Sequence, residues 1–590
     1  MLNLYKASFT NYTIVALFMV SKIVILDGYT DEPAGFGVPP YIDVYPRYIA
    51  GAIWSYDPSI TIRYLTVDWA REHFEEFLKL ANNSDIVIVI AGAVVPGKYL
   101  GGTPINVEEL KSWFRLIDRP LKLLVGPAAL YGFGNEGGGY VKALPRDVKE
   151  NFDVIVTGDP DLYIYTLLKE GAEKAEPWRR WDSLEMLDKF AIKGAKIVEQ
   201  HPNYGYNLIA EIETYRGCTR FVSGGCSFCV TKNYGRVLVR KPESIVREVE
   251  ALYNVGVRHF RLGRQSDILV YGSRELGVEE WPRPDPSMLE KVFHGIRVVA
   301  PSLQTLHIDN VNPGTLVHHE KESIEALKVI VKYHTPGDVA ALGIESVDPR
   351  VVKLNNLKVD FEGAIKAVEI VNRVGRTRGY NGLPELLPGI NFVLGLPGET
   401  AETFRLNLEF LEELLKRNLL VRRINVRQVL ILPATRLWDF GDKLIKKHKK
   451  LIQWFKSRVQ ELSRLFLERV VPRGTILRGL YVERYMPNLG VTFARQAGSY
   501  PIVAEIPCRI SEKAVIDVVV YGYSGRSVRA LPLPLDANKV PLSIAAKVVG
   551  KNMANKLALN RPYKNADMLK RVLGKASIYF SLHGYACTNT

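Results

Sequence analysis

What this 590-residue chain has little of narrows its reading before any motif is found. It carries five cysteines, and none precedes Cys218. A disulfide framework needs several dispersed pairs, so a reducing compartment and a metal site suit these cysteines better. Cys508 and Cys587 stand alone, far from the other three. Histidine is also scarce, and His73 is the only imidazole before His201. No apolar run reaches the ~20 residues needed to span a bilayer. The nearest, Tyr12 to Val20, lacks the basic flank and small-residue cleavage site of a signal peptide. Residues 1–20 read as an N-terminal extension, with Met19 directly before a strand-like run as an alternative start. Nothing argues for export, and a cytoplasmic location is expected.

Acidic residues run short towards the end. From Lys443 onward 26 Lys/Arg face 8 Asp/Glu, a net +18, while the whole chain carries +15 and its first 442 residues about −3. A near-neutral body with a strongly basic tail implies an anionic partner, nucleic acid first, or else a solvated basic face.

What is present in quantity is alternation of short apolar strands with helical patterns. Over residues 21–200, Ile23–Leu26, Asp85–Ala91, Leu121–Gly126 and Phe152–Val156 read as strands buried on both faces, which predicts a doubly wound parallel sheet. Over 201–440 a second set follows: Ile212–Tyr215, His259–Leu262, Thr305–Ile308, Val339–Leu342, Ile390–Leu394 and Arg423–Val429. Six strand–helix units predict a partial parallel barrel. Residues 441–474 are a helical connector, with Leu451, Phe455, Leu462 and Phe466 on one stripe of a long helix over 443–470. A small β-domain over 475–537 and short helices over 538–590 complete the chain.

One segment carries chemistry: Tyr215-Arg-Gly217-Cys218-Thr-Arg-Phe-Val-Ser-Gly224-Gly225-Cys226-Ser-Phe228-Cys229, directly after a predicted strand. Thiolates are the usual ligands of iron–sulfur clusters, and three on a cubane leave one iron open to substrate. The alternative, a structural zinc, needs a fourth cysteine or histidine nearby, and the nearest imidazoles are His201 and His259.

A strand followed by a three-cysteine loop ending in Cys-x-aromatic-Cys resembles the radical S-adenosylmethionine (SAM) superfamily, although seven residues rather than the usual three separate Cys218 from Cys226. Later strand ends add to the resemblance. Arg261-Leu-Gly263-Arg-Gln265-Ser266, with Tyr271-Gly272 beyond, is similar to the second-strand motif that meets the methionine amino group. Gly343-Ile-Glu345-Ser346 is similar to the fourth-strand motif whose carboxylate binds ribose. Asn391 to Thr400 resembles the glycine-rich turn beside the adenosyl group, and Val429–Pro433 would offer backbone contacts to adenine. The resemblance implies an α/β fold with a partial (β/α)6 radical SAM barrel. It implies a [4Fe–4S] cluster on Cys218, Cys226 and Cys229, and an electron donor such as ferredoxin or flavodoxin. SAM would be held by Phe228, Gly263, Gln265, Glu345, Ser346, Asn391, Gly395 and Val429. His307, Asp309, Asn310 and Asn312, after the third strand, would face the barrel interior and are candidates for substrate contact.

The flanks resemble known modules too. Residues 21–200 are similar to the cobalamin-binding-like domain that precedes many such barrels, with Gly158-Asp159-Pro-Asp161 in place of its Gly-Glu-Gly-Glu turn. Its cobalamin signature, Asp-x-His-x-x-Gly, is absent from the Asp27–Pro40 loop, so cobalamin is not expected and a substrate-docking role is preferred. Leu262-Gly263-Arg-Gln265 looks like tRNA methylthiotransferases, but those need a second cysteine cluster that this chain cannot build. Residues 475–537 resemble an OB-type (TRAM-like) barrel, and 538–590 a helix-hairpin-helix with Gly550 at its turn. Arg526, Arg529, Gly550 and Lys551 are candidates for nucleic-acid contact. This layout is similar to that of largely archaeal radical SAM proteins with a C-terminal helix-hairpin-helix. A radical enzyme acting on nucleic acid, tRNA first, is the expectation. The alternatives are the same chemistry on a small molecule or peptide, and a nucleic-acid-binding protein with a redox-inert cluster.

Overall fold

Strands form where aliphatic runs can be covered on both faces, and the N-terminal sheet shows the rule and its exception. The computed structural model describes residues 20–30, 40–92, 102–135 and 137–587, so the readings for 1–19 and for most of the Asp27–Pro40 loop lie outside the described residues. Five parallel strands lie in the order Thr61–Thr66, Lys22–Asp27, Ile86–Ile90, Leu121–Val125 and Val154–Ile155. This is a doubly wound arrangement, second strand outermost. The Thr61–Thr66 strand is absent from the sequence reading. It is an edge strand, with Thr61 and Arg63 exposed between buried neighbours, so its apolar run is interrupted.

The barrel has six parallel strands in two groups. Ile209–Glu213, His259–Gly263 and Thr305–Ile308 form one; Asp338–Glu345, Leu386–Leu394 and Arg423–Gln428 form the other, with Asn310–Val311 at its edge. Among the described residues the last strand pairs only with Leu386–Leu394, and the outer edge of the first is taken by Tyr41–Ile42. The barrel is therefore open along one side. Arg47, fully buried on the helix Val44–Tyr56, ties the N-terminal unit to it by pairing with Glu248 and donating to the Glu211 carbonyl.

The helical connector is two helices, Lys443–Lys447 and Lys449–Val470, rather than one over 443–470. The break falls at His448, whose Nδ1 lies 2.9 Å from Glu399 Oε1; that contact fixes the ring instead of a continuous helix. Beyond it five strands close into a barrel in the order Ile476–Met486, Val491–Gln496, Val503–Ile506, Ser527–Leu533 and Val515–Ser524, with Val503–Ile506 and Ser527–Leu533 running parallel. Two helical stretches joined at Gly550, whose φ of 78° no helix interior adopts, and a helix Ala566–Leu573 pack beside it. Cys508 and Cys587 do not stand apart. They form a disulfide with Cα atoms 5.0 Å apart, because Phe580–Ser581 pairs back onto Leu535–Asp536 and returns the tail to the barrel. A separation of 79 residues hid that return in the sequence.

Candidate functional site

The carboxyl ends of the barrel strands open into a cavity of about 250 Å³. Cys218, Cys226, Phe228 and Cys229 line it on the loop after the first strand, and Gln265, Asn391 and Glu345 line it from other elements. Glu345 is brought there by a bulge at the end of the fourth strand, where its φ is 66°. Burial raises its carboxyl group, while Lys358, with Nζ 3.6 Å from Oε1, works against that rise. Asp309, Asn310 and Asn312 also line the cavity. Asn312 simultaneously caps the helix Pro313–His318 by accepting from the Gly314 N–H at 3.0 Å.

Other expected residues are placed elsewhere. Gly263 does not reach the cavity; a Cβ there would fall 1.6 Å from Glu211 Oε1, so the Glu211 carboxyl group covers it. Ser346 turns behind its strand to Asn407 Oδ1 at 3.3 Å. Gly395 is used for its φ of 92°, its N–H donating to Glu399 Oε2 and its open side filled by Ile445. Val429 shares an apolar wall with Phe228, but its N–H donates to the Leu394 carbonyl and its own carbonyl accepts from Gly139, so its backbone is committed. His307 does not face the cavity. It is buried against Gly498, and its Nδ1 accepts from the Ser499 N–H at 2.8 Å. Arg526 lines a different cavity, and Arg529, Gly550 and Lys551 are exposed on the C-terminal unit.

Several residues of the site escaped the sequence reading. Glu211 and Glu213 lie two apart on the first strand and so share a face. Glu211 pairs with Arg261 at 2.7 Å, and Glu213 with Arg216 at 2.8 Å. Burial lifts Glu211 to about 7 against the pull of Arg261. Arg216 also binds Asp159 of the N-terminal unit at 2.7 Å, so the carboxyl edge of that sheet forms one wall of the cavity. Arg220, inside the cysteine loop, donates to Cys226 Sγ at 3.2 Å. The Glu-x-Glu period before the cysteines was the available signal; Arg220 and Lys358 had none.

The donor set suits the cofactors that such a loop calls for. Burial and the neighbouring thiols push Cys218 up to about 11 and raise Cys229 as well, so these two are held as thiolates more easily beside a group that shares their charge. Among the described residues no three metal-ligating side chains gather around a single ion position. A cubane instead takes each thiolate at a different corner. Lys358, partly buried between Glu345 and the cysteine loop, and the apolar wall of Phe228 provide a cationic and a flat apolar contact for an amino-acid-bearing nucleoside.

A half-open parallel barrel with its cysteine loop after the first strand is a radical SAM fold. Residues 212–411 match the radical SAM superfamily, and the chain belongs to it as an enzyme of the radical SAM class. That family implies a [4Fe–4S] cluster and SAM. The chain is 44% identical over 524 residues to an uncharacterised protein of Methanocaldococcus jannaschii, covering 88% of this chain and 95% of that one. It is 42% identical over 566 residues to an uncharacterised protein of Archaeoglobus fulgidus, covering 95% of this chain and 100% of the other. Among solved structures, the radical SAM methyltransferase TsrM from Kitasatospora setae, bound to tryptophan and a SAM analogue, superposes with a TM-score of 0.43 at 15% identity, over 70% of this chain and 74% of that one. No helix among the described residues is long and apolar enough to cross a membrane.

Proposed function

We propose that the protein cleaves SAM reductively at a [4Fe–4S] cluster held by Cys218, Cys226 and Cys229, and uses the reaction to modify a nucleic acid, tRNA first. The observation that carries the chemistry is the single cavity shared by the three cysteines, Phe228, Glu345 and the substrate-side residues Asp309 and Asn310. When bound, the cluster and SAM supply a 5′-deoxyadenosyl radical for hydrogen abstraction. The chain's own residues position and enclose. Lys358 offers its ammonium group to a carboxylate, Glu345 faces hydroxyls, and the N-terminal sheet edge around Asp159 helps exclude water. The nucleic-acid part is supported by the basic C-terminal unit, where Tyr521 is stacked under Lys547 at 5.0 Å and Arg529 stands nearby. A smaller substrate of the same chemistry is the second reading, favoured by the cavity's modest volume of about 250 Å³.

The test is anaerobic reconstitution of the full chain. Wild type is expected to show cluster absorbance and to release 5′-deoxyadenosine; the triple Cys→Ala variant should do neither. Retention of both by the triple variant would sink the proposal. A mass shift in cellular RNA that depends on this protein would place the substrate, and its absence would favour the smaller one.

A further inference from the structure

A second cavity, of about 340 Å³, lies along the open side of the barrel. Its walls come from three distant stretches: Arg422–Asn425 at the start of the sixth strand, Tyr41 and Ile209 at the edge of the first, and Arg495–Ile502 from the C-terminal unit. Five arginines line it (Arg261, Arg422, Arg423, Arg495 and Arg526), and among the described residues no aspartate or glutamate does. Two of the five are balanced from behind, Arg261 by Glu211 and Arg495 by Glu483. Arg423 lies over the Tyr500 ring, 3.4 Å from its centroid. Arg422 donates to the Tyr500 carbonyl at 2.7 Å, but its Nε is buried with no partner. Arg526 stands exposed at the tip of the hairpin between Val515–Ser524 and Ser527–Leu533, at the mouth of the cavity.

Gathering guanidinium groups in a partly dry cavity opposes folding where the carboxylates fall short: Glu211, Glu483 and Asp309 act on Arg261, Arg495 and Arg423, but among the described residues none pairs with Arg422 or Arg526. Burial and the adjacent guanidinium of Arg423 bring Arg422 down to about 9, and burial brings Arg423 to about 10. A bound oxyanion reverses both effects. Planar forks approaching from several directions suit a tetrahedral phosphoryl group, whose three oxygens accept from each; one fork alone would satisfy a carboxylate. The cavity also adjoins the cysteine cavity, because Tyr41, Arg261, Arg423, Asn425 and Tyr500 line both. A molecule anchored here by a phosphate reaches directly towards the cluster loop.

We infer that the arginine cavity binds a phosphoryl group of the substrate, through Arg422, Arg423 and Arg526, and so sets which part of that molecule enters the reaction cavity. Calling the bound molecule the substrate rests on the radical function proposed above; the phosphate site itself does not. The test is calorimetric titration of inorganic pyrophosphate into the full-length protein, wild type and the separate variants R422Q and R526Q. Binding tighter than about 1 mM in wild type, weakened roughly tenfold or more in each variant, is the expected result. Absence of binding to wild type, or equal binding by both variants, overturns the inference. Should R422Q fail to fold, the exposed Arg526→Gln carries the comparison. Displacement of pyrophosphate by a 5′-nucleotide alone identifies a small phosphorylated molecule, and displacement by an oligoribonucleotide identifies an RNA phosphate; either keeps the site. SAM cleavage without pyrophosphate binding removes this inference and leaves the radical function, whereas pyrophosphate binding without SAM cleavage does the reverse.

Discussion

The barrel meets a neighbouring unit on each side, and the two junctions treat arginine differently. Towards the N-terminal sheet, Arg47 and Arg240 share Glu248, Arg240 also takes Asp188, Arg216 takes Asp159, and Arg264 takes Asp43. Towards the C-terminal unit, Arg422 and Arg526 have no carboxylate partner among the described residues. Buried charges matched one for one specify how two surfaces fit. Buried or clustered charges left unmatched await a ligand. The first junction is built to stay as it is, the second to receive something.

The largest effect is expected where that contrast is sharpest. Glu248→Ala would leave the fully buried Arg47 without a carboxylate and Arg240 with Asp188 alone, and should cost about 3–5 kcal/mol in a denaturant titration. Arg422→Gln removes a guanidinium group that has no carboxylate and should change stability by less than about 1 kcal/mol. Comparable losses in the two would erase the distinction.

A middling effect is expected from Gly498→Val. Its Cβ would fall 2.5 Å from the His307 ring, so the segment from Gly498 to Tyr500 must retreat from the barrel, at about 1–3 kcal/mol of overpacking. Melting temperature should fall and the tyrosine fluorescence of the barrel side should change; an unaltered protein would show that the contact is loose.

The smallest effect is a pH dependence. His259 sits at the C-terminal junction, its Nε2 3.1 Å from Tyr481 Oη, and burial lowers it to about 4. Unfolded, it titrates near 6.5. Its contribution to stability is therefore complete above about 6.5 and declines as pH falls towards 4, because the unfolded state takes up the proton first. Buried Glu211, held up at about 7, acts with the opposite sign over an overlapping range, so the difference between wild type and His259→Asn is the quantity to follow. That difference should shrink between pH 7 and pH 4.5; a constant difference would mean that His259 carries no proton linkage.

Much of this was legible because it is local. The cysteine loop, Glu345 on its strand end and the Gly395 turn each lie within a few residues, where side-chain type and backbone freedom speak directly. The same locality explains the misses. Gly263 and Ser346 sit in the right motifs, but whether they face the cavity depends on Glu211 and Asn407, which arrive from other strands and helices. His307 was read as facing inward from its strand, yet the ring is claimed by Ser499 from a remote unit. The Cys508–Cys587 pair, Lys358 and the arginine cavity are all made by long-range closure, which leaves no spacing in the sequence to read. The edge strand Thr61–Thr66 was lost for a different reason: two of its six residues, Thr61 and Arg63, face water and break its apolar run.

The segment from Gly498 to Tyr500 has a consequence for how the protein comes to exist. It supplies part of the wall of both cavities, yet it is synthesised long after the sixth barrel strand, beyond a two-helix connector. During synthesis the six strands can assemble while their open side still faces solvent. Only when the last quarter of the chain docks is the interior sealed and the arginines confined. Truncation before that point therefore does more than remove an appendage: it leaves a barrel whose reaction chamber was never finished.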